Sequence, residues 1–326
     1  MSICIVGGSG FVGSRLISVL KNSKVYNLDK RKSDFHNNIS SIVDIRVESD
    51  IKFSSDTNLV VLLAAEHRDD VSPSSLYYDV NVQGTKNVLN AMDKHGVKNI
   101  IFTSSVAVYG LDKINPDESH KHDPFNHYGK SKYEAELVIN EWFNQNPKEK
   151  SVTIIRPTVI FGERNRGNVY NLLKQVCSEK FLMIGDGLNK KSMAYVGNVV
   201  AFIKFLIEEK ESGYQVFNYA DKPDFNMTEL VTSIEHKMKT KIPKVSIPFW
   251  LGMACGYFFD TLSFLSKNKL FLSSVRVKKF CATTQFNSMK AHNLFEAPYT
   301  LREGLNKTLE NEFINQKDDD VLFYSE

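Results

Sequence analysis

The chain has 326 residues, of which 42% are hydrophobic, and a formal net charge of +3 at pH 7. It is long enough to bury a sizeable core, and its charge is too small to indicate a nucleic-acid partner. Cys4, Cys177, Cys255 and Cys281 are scattered and lack metal-site spacing, which predicts a reducing, cytoplasmic location and no bound metal.

The N-terminal segment reads as a strand, a glycine-rich turn and a helix. The apolar run 3–6 predicts a buried strand, so no signal peptide is expected. Gly7 permits a tight turn, Gly10 lets the backbone approach a pyrophosphate, and Gly13 lets the following helix pack closely. The amides at the helix N-terminus then face the phosphates. The predicted dinucleotide-binding loop contains Gly7, Gly10, Phe11, Val12 and Gly13.

A second apolar strand, residues 25–28, ends in Asp29. A carboxylate at this point accepts a hydrogen bond from a ribose 2′-hydroxyl and repels a 2′-phosphate, which favours NAD over NADP. The basic residues that follow weaken this preference, because a cation can accommodate the 2′-phosphate; they are Lys30, Arg31 and Lys32.

Strands and helices alternate to about residue 160, which predicts an α/β fold with a Rossmann-type, doubly wound parallel sheet. We expect residues 1–160 to form the NAD-binding domain, with some later segments returning to it. Residues 161–326 should form mainly a smaller, C-terminal substrate-binding region. The charged run 317–320 predicts a solvated C-terminal end.

Three polar residues in the middle of the chain indicate a proton-transfer site. Tyr128 and Lys132 are four residues apart, so a helix that begins near Tyr128 places both on one face. The pKa of free tyrosine is near 10, and an adjacent ammonium group lowers it by favouring the phenolate. Ser105 can hydrogen-bond the same substrate oxygen. Together these residues can deprotonate a sugar or alcohol hydroxyl while its carbon loses hydride.

With the glycine-rich turn, these residues resemble extended short-chain dehydrogenases/reductases of the nucleotide-sugar epimerase/dehydratase type. Matching segments follow in the family's order: 44–45 beside the adenine, 62–65 under the cofactor, 81–85, 156–162 beside the nicotinamide, and 185–196. The resemblance implies that Lys132 also binds the nicotinamide ribose. It implies an NAD site formed, beyond the glycine-rich loop, by Asp29, Asp44, Ile45, Leu63, Ala64, Ala65, Asn81, Tyr128, Lys132, Pro157 and Val159.

The residues after Ser105 distinguish between reactions of this family. The 4,6-dehydratases carry an Asp–Glu pair there, whereas this chain has Val106 and Ala107, which cannot transfer protons. The resemblance therefore implies a 4-epimerase. In such an enzyme Tyr128 deprotonates the sugar 4-hydroxyl, Ser105 holds the 4-oxygen, and a 4-keto intermediate receives hydride on its other face.

Segments 62–73, 161–168, 191–197 and 274–281 resemble the branch of this family that acts on lipid-linked amino sugars in bacterial O-antigen and lipopolysaccharide assembly. The resemblance implies interconversion of GlcNAc-diphosphoundecaprenol and GalNAc-diphosphoundecaprenol. Lys191 and Ser192 stand where many sugar-nucleotide members carry Arg-Asp, which argues against ordinary nucleotide binding. Candidate substrate ligands, of which the charged ones could equally be solvated side chains, are Ser105, Val106, Arg164, Asn168, Lys191 and Arg276.

Residues 245–266 are nearly all apolar or aromatic, with Asp260 as the only formal charge. This charge and two glycines argue against a membrane-spanning helix. One interpretation is a buried or dimer-contact helix. The other is an interfacial helix, with Trp250 and Tyr257 at the headgroups, on the cytoplasmic face of the inner membrane. Nearby cations that could meet anionic lipid or the diphosphate are Lys267, Lys269, Arg276, Lys278 and Lys279.

Three functions remain open: the lipid-linked 4-epimerase, a soluble UDP-N-acetylglucosamine 4-epimerase, and an NAD-binding scaffold without turnover. The intact Ser105, Tyr128 and Lys132 argue against the scaffold. The charged cluster 66–70 fits a substrate pocket or a dimer surface equally well. By analogy with the family, the helices that start near residues 84 and 129 should form the two-fold bundle of a homodimer.

Overall fold

A sheet of seven parallel strands forms the centre of the computed structural model. The structure describes residues 1–68, 71–178, 181–209, 212–243, 245–266, 273–316 and 321–324. Lys267, Lys269 and the run 317–320 lie outside these ranges.

The strands are β1 (Ser2–Val6), β2 (Lys24–Asp29), β3 (Ser40–Ile42), β4 (Leu59–Leu62), β5 (Asn99–Thr103), β6 (Ser151–Pro157), β7 (Val159–Phe161), β8 (Asn165–Arg166), β9 (Met183–Ile184), β10 (Lys190–Lys191), β11 (Met193–Tyr195), β12 (Tyr214–Tyr219), β13 (Phe225–Asn226), β14 (Ser246–Ile247) and β15 (Phe323–Tyr324). The helices are α1 (Phe11–Val19), α2 (Ser75–Tyr78), α3 (Gly84–Lys94), α4 (His127–Gln145), α5 (Asn168–Cys177), α6 (Val196–Glu209), α7 (Met227–Met238), α8 (Phe249–Ser266), α9 (Ser274–Cys281), α10 (Met289–His292) and α11 (Leu301–Leu309). Wider helical turns, Asp79–Gln83 and Glu310–Ile314, connect α2 to α3 and extend α11, and short 3-10 turns occupy Asn37–Ile39, Glu48–Asp50 and Val106–Tyr109.

The strand order of the central sheet is β12-β6-β5-β4-β1-β2-β3. The chain starts in the middle, runs outwards through β2 and β3, and returns past β1 to build the other half from β4. This doubly wound, Rossmann-type order confirms the predicted fold class. The direction of winding reverses between β1 and β4, which is where ligands bind in sheets of this kind.

Both faces of the sheet are covered, because successive residues of β1 point in opposite directions. Ile5 packs with Leu16 of α1 and Phe202 of α6 in one apolar core. Val6 packs in a second core on the other face, which includes Ile139 of α4. This double burial explains why the central strands are nearly continuous apolar runs.

Segments after residue 161 contribute to the sheet as well as to the smaller region. β12 pairs with β6 at one edge, and α6 packs beside α1. The other elements of this part of the chain include short two-stranded pairings, such as β14 with β9, and helices α7 to α9. The division into a region 1–160 for NAD and a region 161–326 for substrate stays a prediction.

The expectation of a solvated C-terminal end is wrong for Phe323, which is only 8% exposed. The strand β15 pairs with β8, and the Phe323 ring packs against Phe11 and Phe35. Packing of the aromatic ring against other rings stabilises this buried position of Phe323.

A buried ion pair connects α4 to β6. Arg156 Nη2 lies 2.6 Å from Glu136 Oε2, with side-chain exposures of 4% and 5%. Arg156 Nη1 also donates to the Tyr109 hydroxyl at 2.7 Å. The guanidinium group therefore depends on Glu136 for its compensating charge.

We expect Glu136→Ala to lower the free energy of unfolding by about 3–5 kcal/mol, because it leaves a buried cation unpaired. The control is Glu208→Ala, which removes the exposed partner of Lys204 on α6 and should cost no more than about 1 kcal/mol. Urea denaturation of both variants measures the difference. Equal losses would contradict the assigned importance of the buried pair.

Candidate active site

A cavity of about 670 Å³ opens at the carboxyl-terminal edge of the sheet. Because parallel strands end at the same edge, the segments that follow β1, β4, β5 and β6 meet there. Their representatives in the cavity wall are Gly7, Leu63, Ser104 and Thr158.

The start of α4 is held against the segment that follows β5. Asn126 caps α4 by accepting a hydrogen bond from Gly129 N at 2.8 Å. A Cβ atom on Gly129 would lie 2.6 Å from the carbonyl oxygen of Ala107, so only glycine permits this approach. The close contact places Tyr128 and Ser105 in the wall of the same cavity.

Lys132 lies one turn further along α4 and is 3% exposed. Its Nζ donates to the carbonyl oxygen of Thr103 at 2.7 Å and lies 4.8 Å from the centre of the Phe102 ring. Burial lowers the pKa of the Lys132 ammonium to about 7, against an opposing effect of Glu136 one turn later. An anion in the cavity would therefore favour the protonated form of this side chain.

The predicted cofactor loop forms a tight cradle. Gly7 adopts a φ of +93°, and a Cβ atom on it would lie 2.5 Å from Ala64 N. A Cβ atom on Gly13 would lie 2.5 Å from the carbonyl oxygen of Gly7. Asp29, at the end of β2, accepts hydrogen bonds from Ser9 N and Arg31 N, both at 2.9 Å. This arrangement fits a dinucleotide, with the phosphates at the loop and a ribose at the carboxylate.

Most of the predicted NAD-binding residues share this cavity. Asp44 lies at one end, where hydrogen bonds from Arg46 hold the pKa of the Asp44 carboxyl below its usual value. The predicted residues in the lining are Gly7, Gly10, Phe11, Val12, Gly13, Asp29, Asp44, Ile45, Leu63, Ala64, Ala65, Tyr128, Lys132, Pro157 and Val159. Of the predicted substrate residues, Ser105, Val106 and Asn168 are in the lining.

Asn81 lies behind the cavity wall rather than in it. Its side chain accepts from Glu66 N at 2.8 Å and donates to the carbonyl oxygen of Glu66 and to Ser131 Oγ, both at 2.9 Å. Asn81 therefore connects the segment after β4 to α4, and its direct contact with NAD stays a prediction.

Three predicted substrate residues also lie outside the lining. Lys191 Nζ donates to the carbonyl oxygens of Lys279 at 2.9 Å and Ala282 at 2.6 Å, so it binds the C-terminal end of α9. Arg164 places its guanidinium group 5.3 Å from the Phe35 ring centre. Arg276 is exposed on α9. Their substrate contacts stay predictions.

The cavity also includes residues that sequence reasoning did not assign. From the sequence, the cluster 66–70 fits a substrate pocket or a dimer surface equally well. In the structure Glu66, His67 and Arg68 line the cavity, and residues 69–70 lie outside the described part of the chain. Further lining residues that the sequence analysis did not assign come from distant segments, and they include Phe125, Thr284, Phe286, Phe323 and Tyr324.

The lowered pKa of Lys132 gives a pH-dependent contribution to stability. Between pH 7 and pH 10 the unfolded chain keeps the Lys132 proton that the folded chain loses, so the free energy of unfolding rises with pH, by about 1.4 kcal/mol per unit. Lys132→Met removes the amine that binds this proton. We expect the wild-type free energy of unfolding, minus that of the variant, to rise over this range in urea titrations without NAD. A constant difference would contradict the assigned burial of the ammonium group.

A Rossmann-type sheet, a glycine-rich phosphate loop and Ser105, Tyr128 and Lys132 around one cavity are features of the short-chain dehydrogenase/reductase type of enzyme. Residues 3–220 match the model of the NAD dependent epimerase/dehydratase family. This match covers more than half of the chain, so the chain belongs to that family, and its cofactor is NAD.

The chain is 59% identical to the N-acetyl-alpha-D-glucosaminyl-diphospho-ditrans,octacis-undecaprenol 4-epimerase of Escherichia coli O157:H7, over 100% of this chain and 99% of the relative. Its fold is similar to that of UDP-glucuronic acid 4-epimerase from Bacillus cereus in complex with NAD, with a TM-score of 0.72, 18% identity and coverage of 95% and 98%. It is also similar to UDP-N-acetylglucosamine 4-epimerase from Bacillus cereus, with a TM-score of 0.70, 18% identity and coverage of 94% and 97%.

Proposed function

We propose that the chain is an NAD-dependent 4-epimerase that interconverts GlcNAc-diphosphoundecaprenol and GalNAc-diphosphoundecaprenol in O-antigen and lipopolysaccharide biosynthesis. The Escherichia coli relative is named as a 4-epimerase of N-acetyl-alpha-D-glucosaminyl-diphospho-ditrans,octacis-undecaprenol and aligns with the whole chain. The structural observation that carries the proposal is an exposed aromatic helix, α8, that packs on α9, and α9 in turn contacts Phe125 of the cavity wall.

The cavity provides the groups that epimerisation at C4 requires. Tyr128 takes the proton of the sugar 4-hydroxyl, Ser105 hydrogen-bonds the 4-oxygen, and Lys132 favours the phenolate of Tyr128 when it is protonated. NAD, when bound, supplies the site that accepts hydride and returns it. Val106 and Ala107 also line the cavity, and neither transfers a proton, so the 4-keto sugar has no acid–base pair there to promote loss of water.

One side of α8 is unusually apolar for an exposed surface. Trp250 is 70% exposed, Phe258 is 65% exposed and Phe264 is 85% exposed. We call this side the α8 aromatic surface; its members are Phe249, Trp250, Leu251, Tyr257, Phe258, Leu262 and Phe264. Large exposed apolar patches mark sites of interaction with protein, lipid or membrane.

The opposite side of α8 packs on the rest of the protein. A Cβ atom on Gly256 would lie 2.7 Å from Ser274 Cα. The absence of this atom therefore permits α8 to pack closely on α9. Asp260 accepts a hydrogen bond from Ser274 N at 3.2 Å and thus caps α9. The one charged side chain of α8 therefore contacts α9. The α8 aromatic surface carries no formal charge and suits an apolar partner.

The helix α9 connects the aromatic surface to the cavity. Lys279, at its C-terminal end, places its Nζ 5.7 Å from the ring centre of Phe125, which lines the cavity. Thr284 and Phe286, shortly after α9, also line the cavity. In our proposal the sugar occupies the cavity, the exposed cations of α9 attract the diphosphate, and the polyprenyl chain follows α8 into the bilayer.

No helix in the described ranges has both the length and the hydropathy to cross a bilayer. Because large apolar side chains of α8 are exposed, we propose peripheral attachment through the α8 aromatic surface, on the cytoplasmic face of the inner membrane. The basic residues Lys278 and Lys279 on α9 are exposed and suit a surface of anionic lipid.

The substrate is tested by incubating the purified protein with radiolabelled GlcNAc-diphosphoundecaprenol in detergent, and separately with UDP-GlcNAc, followed by hydrolysis and separation of the sugars. We expect GalNAc from the lipid substrate alone. Tyr128→Phe, which removes one oxygen atom, should lower this rate by about 100-fold or more, since it removes the general base.

GalNAc formed efficiently from UDP-GlcNAc would favour the soluble epimerase, which the fold similarity to the Bacillus cereus enzyme keeps as the second candidate. Full turnover by folded Tyr128→Phe would refute the assigned base. Absence of turnover on both substrates, with NAD bound, would favour the scaffold.

Membrane attachment is tested by sedimentation with vesicles of anionic phospholipid. We expect the double variant Trp250→Ser, Phe258→Ser to bind at least about tenfold more weakly, since burying one phenylalanine contributes about 1.5–3 kcal/mol. Leu294→Ser is the control, because Leu294 is 47% exposed and lies outside α8. Equal binding of all three proteins would exclude the α8 aromatic surface as the attachment site.

A homodimer is proposed on the resemblance to the family, through the outer faces of α3 and α4. Leu137 on α4 is 50% exposed and is an apolar side chain on this face. Its neighbours on α4 are mainly polar, so the proposed interface combines one apolar contact with a charged surround. Sedimentation equilibrium of the purified protein would measure the assembly.

A further inference from the structure

The last described segment of the chain returns to the cofactor cavity. Phe323 and Tyr324 form β15, which pairs in parallel with Asn165 and Arg166 of β8, and Phe323 N donates to the carbonyl oxygen of Arg164 at 2.8 Å. Both Phe323 and Tyr324 line the cavity. A segment this close to a chain terminus is ordinarily solvated unless specific contacts hold it.

Aromatic contacts hold Phe323 beside the phosphate-binding loop. Its ring centre lies 5.8 Å from that of Phe11, a residue of the glycine-rich loop. Phe35 stacks on Phe323 at 6.2 Å with an angle of 26° between the rings. The guanidinium carbon of Arg15 lies 5.5 Å from the Phe323 ring centre. Phe323 is thus fixed to the same part of the protein that should bind the pyrophosphate.

A second attachment holds the strand on which β15 pairs. Glu312, in the helical stretch before the tail, is 3% exposed. Its carboxylate accepts hydrogen bonds from Arg164 N and, at 2.5 Å, from Arg166 Nη1. The C-terminal part of the chain therefore contacts β8 twice, once through Glu312 and once through β15, and both contacts lie next to the cavity.

We propose that Phe323 and Tyr324 form part of the NAD site, and that the strand β15 covers the cavity beside the phosphate-binding loop and slows release of NAD. A 4-epimerase returns hydride to the sugar it came from and has no need to exchange cofactor between turnovers, so slow release is suited to it. That benefit rests on the proposed function. The effect on NAD binding does not, since it follows from family membership and from the contacts of the segment.

The rate of NAD release tests the proposal directly. The full-length protein is loaded with fluorescent 1,N6-etheno-NAD and mixed with excess unlabelled NAD, and the change in fluorescence gives the dissociation rate. We expect Phe323→Ser to release the nucleotide about tenfold faster, because losses of contact act mainly on dissociation. Phe323→Tyr keeps the ring contacts with Phe11 and Phe35 and should retain slow release.

Phe35→Ala provides an independent variant. Phe35 is 43% exposed and outside the cavity lining, so its loss should leave the fold intact and speed release by a smaller factor. Leu294→Ser should leave the rate unchanged. Saturating NAD should also slow digestion of the C-terminus by a carboxypeptidase.

Unchanged release rates in Phe323→Ser and Phe35→Ala, both with the circular dichroism spectrum of the original chain, would overturn the proposal. The measurement contains no sugar substrate. A failure of the proposed epimerase activity would therefore leave its result unaffected, and the two claims stand or fall separately.

Discussion

The candidate active site depends on one close contact, between the start of α4 and the segment that follows β5. Gly129 leaves space for the carbonyl oxygen of Ala107, and Lys132 Nζ binds the carbonyl oxygen of Thr103 at 2.7 Å. These contacts bring the phenol of Tyr128, the buried amine of Lys132 and the hydroxyl of Ser105 into the wall of one cavity. A larger residue at position 129 would push the start of α4 away from Ala107, so the meeting of these residues at the cavity depends on the absence of a Cβ atom there.

Much of the fold and the centre of the site could be predicted because their signals are local. The strand, glycine turn and helix at the N-terminus identify the loop, and the four-residue spacing of Tyr128 and Lys132 places both on one helix face. The sites of Asn81 and Lys191 could not be predicted in this way. Asn81 binds Glu66 and Ser131, and Lys191 binds the end of α9. These hydrogen-bond partners come from distant parts of the chain that the tertiary structure brings together. The spacing of residues along the sequence does not identify them. The same reason explains why Phe323, at the end of a charged tail, was not assigned to the cavity.

The apolar segment at 249–266 shows a different limit of sequence reasoning. Aromatic residues occur around the whole helix, so periodicity alone does not identify the covered side. The structure resolves this ambiguity through Gly256 and Asp260, which meet Ser274 of α9, while Trp250 and Phe264 remain exposed. Because α9 also leads to Thr284 and Phe286 in the cavity wall, it connects the α8 aromatic surface to the cavity. A lipid-linked sugar would suit this arrangement better than a free nucleotide sugar.

The most direct test of the central claim follows the hydrogen at C4 of the sugar. GlcNAc-diphosphoundecaprenol that carries deuterium at C4 is incubated with the purified protein, with no added reductant, and the GalNAc product is analysed by mass spectrometry and NMR. We expect the product to keep deuterium at C4, because the hydride that leaves the sugar returns to it from NAD in the same cavity. Loss of the deuterium to solvent, or a requirement for added NADH, would contradict it.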